Sequence, residues 1–193
     1  MNNVLSKMSP SITKMIRMDH THVLSTFHKF EVDTSSVRKQ AIVKTACLAL
    51  EIHAQLEEEI FYPALQAVAG DNQVLHKAKP EHDEMKRLIA ELRGLAPEDE
   101  AFDLKFHELM RDVMHHVADE ETVLLPAAEL LLKDRLGELG AQMTRRRLEL
   151  AGPRVAEIAG NSALAMPAGT MLMAGGLLAG GYLLKRAFEQ RRH

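Results

Sequence analysis

One eleven-residue pattern occurs twice in the sequence and limits the folds that the chain can adopt. The pattern is His-x-x-x-Glu-Glu-x-x-x-x-Pro, and it begins at His53 and again at His116. In an α-helix, residues four apart lie on one face, so each histidine points the same way as the glutamate that follows it. An earlier histidine precedes each pattern at a similar distance, since 33 residues separate His20 from His53 and 34 separate His82 from His116. The chain is therefore expected to contain a duplicated pair of helices.

Apolar residues recur at helical spacing through the first 133 residues, which predicts an all-α structure. The first 136 residues contain only Gly70 and Gly94, too few glycines for an all-β chain with frequent turns. Four helices are expected over about residues 11–30, 37–69, 71–93 and 97–133. Because the links between them are short, consecutive helices should run antiparallel, as in an up-down four-helix bundle.

Three prolines fall inside these predicted helices. A proline removes a backbone hydrogen bond and clashes with the preceding turn of a helix. Pro63 and Pro126 are therefore expected to kink the second and fourth helices. Pro80 is expected to mark the true start of the third helix.

Polar residues that can bind a metal interrupt the apolar face of each predicted helix. They are His20 on the first helix, His53 and Glu57 on the second, His82 on the third, and His116 and Glu120 on the fourth. A buried carboxylate without a partner is costly, and metal coordination is one remedy. Imidazole and carboxylate together suit iron, manganese or zinc, and a bridging carboxylate is natural to a two-metal site. The six residues therefore predict a metal site inside the bundle.

In these six positions and both helix-interior prolines the sequence resembles the hemerythrin-type HHE cation-binding proteins, over about residues 11–133. That family has one histidine on its first and third helices and His-x-x-x-Glu on its second and fourth. The resemblance implies a four-helix bundle around a non-haem diiron centre, with the four histidines as terminal ligands. Glu57 and Glu120, together with an oxo or hydroxo group, would bridge the two iron ions.

The resemblance also implies a function in binding, sensing or handling O₂, peroxide or NO. It favours a metal- and oxygen-binding protein over a dedicated enzyme, and it leaves weak peroxidase or oxidase activity open. Two alternatives stay open, namely iron storage or iron sensing without redox turnover, and a structural, membrane-associated bundle. The expected partners are small diatomic ligands or peroxide.

One histidine of the oxygen-carrying hemerythrins has no counterpart in this sequence. Those proteins have a second histidine on the third helix, four residues from the first. Ala78 and Lys86 occupy the two positions at that spacing from His82. With one ligand fewer, more coordination positions stay open to exchange. The sequence therefore predicts reactive metal ions rather than a reversible oxygen carrier.

Several residues beside the six candidate ligands also bear on the site. The ten-residue spacing to Pro126 assigns the ligand role on the fourth helix to His116 rather than to His115. Tyr62 is expected to be a core residue, with an approach to the metal site left open, and Cys47 a small buried hydrophobe. Asp19 and Glu81, each just before a candidate histidine, either orient that histidine or are solvated. Two further acids are expected to face outward, with a role as spare ligands left open: Glu58 and Glu121.

Charge and composition change after residue 133. Residues 1–133 carry a net charge of −7, whereas residues 134–193 carry +4. Ala163–Leu184 is uncharged and, at about 1.5 Å per residue, long enough to span a membrane. A helix packed on the bundle or on a second copy of the chain, as in a homo-oligomer, is the alternative. The predicted segments are an amphipathic linker helix over 134–160, a transmembrane or glycine-rich packing helix over 161–185, and a basic tail over 186–193.

The composition of the whole chain bounds its partners and its compartment. The net charge is −3, so no basic excess supports a nucleic-acid partner, and none is expected. A single cysteine excludes an internal disulfide framework. The first ten residues lack the apolar stretch of a secretory signal. The bundle is therefore expected in the cytoplasm, tethered by its C-terminal segment if that segment spans a membrane.

Overall fold

The structure is a computed structural model that describes residues 9–31 and 33–165, which contain helices and no strands. Two π-helical turns, Glu57–Phe61 and Glu120–Leu124, and a 3₁₀ turn, Gly152–Arg154, link some of the helices. The α-helices are α1 Ile12–Phe27, α2 Ser36–Leu56, α3 Tyr62–Ala69, α4 Gln73–Arg93, α5 Glu100–Asp119, α6 Leu125–Leu131, α7 Leu136–Ala151 and α8 Val155–Ala165.

An up-down four-helix bundle is formed by α1, the continuous run α2–α3, α4, and the continuous run α5–α6. The helices α7 and α8 extend the chain beyond the bundle and pack back on it. The predicted all-α bundle with a C-terminal helical extension is thus confirmed.

Two apolar clusters fill the bundle, one toward each end, and the candidate metal ligands lie between them. Along each long helix the chain passes from one cluster through the histidine level to the other. Burial of a large apolar side chain stabilises a fold by about 1.5–3 kcal/mol, so both clusters hold the polar layer in place and dry. The residues that flank this layer are Val23, Leu50, Met85 and Val113 in the first cluster, and Ile16, Phe61, Ala78 and Leu124 in the second.

The start of α4 differs from the prediction. Pro80 lies inside α4, seven residues after the helix begins at Gln73. Asn72 caps the helix, because its side-chain oxygen accepts hydrogen bonds from the backbone amides two and three residues further on, at 3.0 and 3.1 Å. Pro80 and the residue four before it, His76, are both exposed, so water can satisfy the carbonyl that the proline leaves without a donor. The expectation that Pro80 starts the helix was therefore wrong.

The other two prolines lie just after the π-helical turns. Pro63 and Pro126 each occupy the first turn of the following helix, α3 and α6. A π turn inserts one extra residue into a helix, and this displaces the backbone where a proline would otherwise clash. The predicted kinks thus correspond to π turns that begin at Glu57 and Glu120 themselves.

The helix α7 docks on the bundle at the start of α1. A side-chain carbon on Gly140 would lie 2.1 Å from the carbonyl oxygen of Pro10 and 3.0 Å from the amide of Ile12. No residue other than glycine fits this contact without a shift of the backbone. Further along α7, the hydroxyl of Thr144, which donates to the carbonyl of Gly140 at 2.8 Å, contacts the sulfur of Met15 at 3.3 Å. The two contacts fix α7 against the outer side of α1.

The helix α8 packs along α2, and Ala165 at its end is buried in the first apolar cluster. The first residues of the predicted 161–185 segment therefore belong to a helix that contacts the bundle. The remainder of that segment and the basic tail over 186–193 lie outside the described residues. Within residues 9–31 and 33–165, no helix is both long and apolar enough to cross a membrane.

Candidate metal centre

The six predicted ligands meet in the polar layer between the two apolar clusters. Each of them is at most 4% exposed. Their ligand atoms form two groups, each with all atoms within 4.8 Å of one another. Glu57 belongs to both groups, so the arrangement can hold two neighbouring cations. We call the two groups the first site (His20, His53, Glu57 and Glu120) and the second site (Glu57, His82 and His116).

The Nε2 atoms of the four histidines all face the two central carboxylates. In the first site, His20 Nε2 lies 3.1 Å from Glu120 Oε2, and His53 Nε2 lies 3.1 Å from Glu57 Oε2. In the second site, His82 Nε2 lies 3.5 Å from Glu57 Oε2. Glu120 Oε2 also approaches His116 Nε2, at 3.6 Å, so both carboxylates lie between the sites.

Each Nδ1 atom on the outer side of these histidines faces an acidic residue of another helix. Glu121 approaches His20 Nδ1 at 2.8 Å and Glu81 approaches His116 Nδ1 at 2.8 Å. A carboxylate can only accept, so it holds the proton on Nδ1 and leaves Nε2 free as a metal ligand. Two longer contacts complete the set: Glu58 to His82 Nδ1 at 3.1 Å, and Asp19 to His53 Nδ1 at 3.5 Å.

These four contacts form a closed ring around the bundle, which we call the acid ring (Asp19, Glu58, Glu81 and Glu121). An acid on the first helix faces a histidine on the second, the second faces the third, the third faces the fourth, and the fourth faces the first. The expectation that Glu58 and Glu121 face outward was wrong. Asp19 and Glu81 also differ from expectation, since each orients a histidine on the next helix rather than its own neighbour in sequence. The reason is that adjacent residues of a helix point about 100° apart.

Electrostatics show why this layer suits a cation. Burial and the neighbouring Glu120 raise the pKa of Glu57. Burial also opposes ionisation of Glu120, but the hydrogen bond from His20 and the nearby imidazoles outweigh it and lower the pKa of Glu120. Burial alone would lower the pKa of His20, yet the hydrogen bond to Glu120 and the surrounding negative charge raise that pKa to about 9. Without a metal, the negative charge in this layer must be balanced by protons bound to the carboxylates or to the histidines that face them.

Two features of the layer give a direct test of whether a metal fits. Glu57 Oε1 is buried and has no hydrogen-bond partner among the described residues. The Nε2 atoms of His82 and His116 lie 3.1 Å apart, while each Nδ1 faces a carboxylate. With the protons on Nδ1, two Nε2 lone pairs point at each other, which is unfavourable unless a cation lies between them. The donor set therefore fits metal binding.

Tyr62 belongs to the centre as well, although the sequence indicated a core residue. Its hydroxyl oxygen lies 2.9 Å from Glu120 Oε1, 3.2 Å from Glu57 Oε2 and 3.2 Å from His82 Nε2. Burial and the two carboxylates raise the pKa of Tyr62, so its hydroxyl keeps its proton. Tyr62 follows Glu57 by five residues, a spacing that shares a face only in a π-helix. The π turn was not predicted, and so the sequence favoured a core position for Tyr62 over one at the centre.

The remaining residues of interest have clear positions. His116 is buried and His115 is exposed, in line with the spacing argument. Ala78 is buried in the second apolar cluster. Lys86 instead reaches outward to Glu58, at 2.6 Å between Nζ and Oε1. The two positions where a fifth histidine would lie thus hold a core residue and a partner of the acid ring.

Similarity to known proteins assigns this chain to a family. Residues 11–128, more than half of the chain, match the hemerythrin HHE cation-binding domain. A protein named DNA nickase from Nostoc sp. (strain PCC 7120) is 32% identical over 123 residues, which cover 63% of this chain and 34% of that protein. The chain thus spans about a third of that relative's length.

Among solved structures, a hemerythrin HHE cation-binding domain-containing protein from Mycobacterium kansasii has the same fold, with a TM-score of 0.65 at 20% identity. The match covers 81% of this chain and 98% of that one. The long match of the domain, together with the two histidine–glutamate sites, shows that the chain belongs to the hemerythrin HHE cation-binding domain family.

Proposed function

We propose that the protein binds two iron ions in the paired sites and uses them to bind, sense or react with O₂, peroxide or NO. The observation that carries the proposal is the sharing of Glu57 between two buried sites toward which four imidazole Nε2 atoms converge. Nitrogen and carboxylate ligands suit iron in both of its common oxidation states. When bound, the iron pair would supply redox chemistry that these side chains lack.

The contacts support an assignment of ligand roles. We assign His20 and His53 to the metal of the first site, and His82 and His116 to that of the second. Glu57 belongs to both sites and would be shared by the two metals, and Glu120 would be a ligand of the first site that also approaches His116 of the second. The protein thus provides more ligands to the first site than to the second. An incoming small ligand would therefore meet the more open metal at the second site.

Tyr62 gives the second site a proton donor. Its hydroxyl contacts His82 Nε2 and both glutamates, and it keeps its proton because burial disfavours the phenolate. We infer that it holds a proton at Oη next to the place where a small ligand would bind. The apolar clusters on either side exclude bulk water from this region.

Anaerobic loading with ferrous iron tests the proposal. We expect about two iron ions per chain, and an optical change when O₂, NO or peroxide is added. Protein that takes up one zinc ion or no metal after expression with ample iron would contradict a diiron centre. Turnover of peroxide separates redox function from iron storage or sensing, in which the loaded protein would leave peroxide unconsumed.

The nicking activity named for the Nostoc relative is not part of this proposal. The chain corresponds to about a third of that protein, and its net charge of −3 does not favour contact with DNA phosphates.

A further inference from the structure

Arg147 connects the C-terminal extension to the metal centre. It lies on α7, beyond residues 11–128 that match the family domain. Its guanidinium group donates two hydrogen bonds to Asp19, from Nη1 to Oδ1 at 2.6 Å and from Nη2 to Oδ2. Such a two-pronged contact fixes the plane of the carboxylate as well as its position.

Asp19 is the member of the acid ring that faces His53. Its Oδ2 atom lies 3.5 Å from His53 Nδ1, whereas the other three ring contacts measure 2.8 to 3.1 Å. His53 Nδ1 is also buried with no closer hydrogen-bond partner among the described residues. The orientation of His53 therefore depends on where Asp19 is held.

Two other acids of the ring contact a basic side chain, and in both cases that side chain belongs to a helix of the bundle. Lys86 on α4 contacts Glu58 at 2.6 Å, and Arg17 on α1 contacts Glu121 at 3.0 Å. Asp19 is held instead by a residue of the extension. Its side chain is 16% exposed and that of Arg147 is 32% exposed, so the pair is partly shielded from water.

We propose that Arg147 is a positioning residue, which holds Asp19 against His53 and so sets the metal affinity of the first site. The docking of α7 on the bundle then contributes to metal binding at the first site. The inference takes the ligand role of His53 from the proposed function, but it does not depend on which metal is bound or on what reacts there.

Arg146, the next residue, offers a matched control. It lies on the same helix and pairs with Glu59 at 2.7 and 3.0 Å and with Glu149 at 3.1 Å. Arg146→Met therefore removes ion pairs of α7 without touching the acid ring. Arg147→Met removes the contact to Asp19 with a similar loss of charge and a similar side-chain length.

The test is a titration of the full chain with Co²⁺, whose visible absorption reports binding to each site. For Arg147→Met we expect one of the two dissociation constants to rise by about tenfold, the low end of the loss seen when an outer partner of a metal-bound histidine is removed. The other constant should not change, and Arg146→Met should match the unaltered chain. Equal constants in the two variants, or equal weakening of both sites, would overturn the inference.

A double variant shows whether Arg147 acts through Asp19. Asp19→Asn alone should weaken the first site, and adding Arg147→Met should weaken it no further, because the two residues form one unit. Independent, additive losses would overturn the inference.

Arg147→Lys keeps the charge without the two-pronged contact and should give an intermediate dissociation constant. If Arg147→Met does not fold, Arg147→Lys takes its place in the titration, and circular dichroism checks that Arg147→Lys is folded.

Failure of the inference and failure of the proposed function have different signatures. A chain that binds two Co²⁺ ions with the expected pattern but takes up no pair of iron ions contradicts only the diiron function. A chain that loads two iron ions while Arg147→Met and Arg146→Met behave alike contradicts only the inference. A chain that binds neither metal contradicts both.

Discussion

Among the single residues of the centre, Tyr62 contributes a hydroxyl group that both central glutamates share. Tyr62→Phe removes this hydroxyl donor and leaves the aromatic side chain and the acid ring in place. We expect the metal-free protein to lose about 1–3 kcal/mol of stability, because a buried acceptor is left without its partner. Urea unfolding of the metal-free protein measures the loss. The variant should still bind two metals, since no nitrogen or carboxylate ligand is removed, and loss of metal would show that the phenol itself is a ligand.

The two adjacent histidines of α5 give a second comparison at this scale. His116 contacts Glu81 through Nδ1 and faces His82 through Nε2, whereas His115 is exposed. His116→Ala should weaken metal binding at the second site and destabilise the protein by about 1–3 kcal/mol, because the buried Glu120 loses a neighbour that offsets its charge. His115→Ala should change neither property. Metal content and thermal unfolding check both variants, and the opposite ranking would mean that the fourth helix is rotated.

Residue positions were predictable where helical spacing alone decides them. Each histidine–glutamate pair is spaced by four residues, up to the first residue of a π turn, so the repeat of His-x-x-x-Glu was sufficient to predict that the six candidate ligands meet. The acid ring was not predictable in the same way. Whether Glu58 turns inward depends on the distance to the next helix, and a single sequence does not contain that distance.

At the scale of helices, the π turns at Glu57 and Glu120 determine the geometry of the centre. Each begins at a central carboxylate and ends just before the helix that carries a proline. The sequence signalled a disturbance through Pro63 and Pro126 but not its form, because a kink and an inserted residue both relieve the same clash. Pro80 carries the same signal and causes no break, since it faces solvent behind a well-capped helix start.

Two glycines of α7 allow a sharp test of how this helix docks. Gly140→Ala places a carbon 2.1 Å from the carbonyl of Pro10, and we expect a loss of about 1–3 kcal/mol in stability. Gly137→Ala is the matched control, because a side chain there meets nothing within 4 Å. It should stabilise the helix by up to about 1 kcal/mol, as alanine does in place of glycine. Chemical denaturation gives both values, and equal effects would show that α7 does not rest on α1.

At the scale of the whole molecule, the described residues include all six candidate ligands, the acid ring and the contacts by which α7 and α8 dock on the bundle. A chain that ends at Ala165 should therefore remain in solution without detergent and bind metal as the full chain does. A chain that ends at Arg154 should be less stable, because α8 packs on α2 and buries Ala165. Metal content and thermal unfolding of the two truncated chains test this order.

The sequence of the segment that follows Ala165 supports a separate prediction. If the uncharged segment after Ala165, residues 166–184, spans a bilayer, the full chain should sediment with membranes and resist extraction by high salt, whereas the chain ending at Ala165 should not sediment. Recovery of the full chain in solution without detergent would contradict the anchor. It would then favour packing of this segment on the bundle or on a second copy of the chain.

The closed course of the acid ring has a consequence for the lifetime of the protein in a cell. Since every helix both supplies a histidine and steadies the next one, opening any helix disturbs all the ligands together. Metal bound to the folded chain would add its binding free energy to the free energy of opening that exposes the chain to proteases. We expect the abundance of this protein to follow the supply of its metal, with the empty chain degraded first when that metal is scarce.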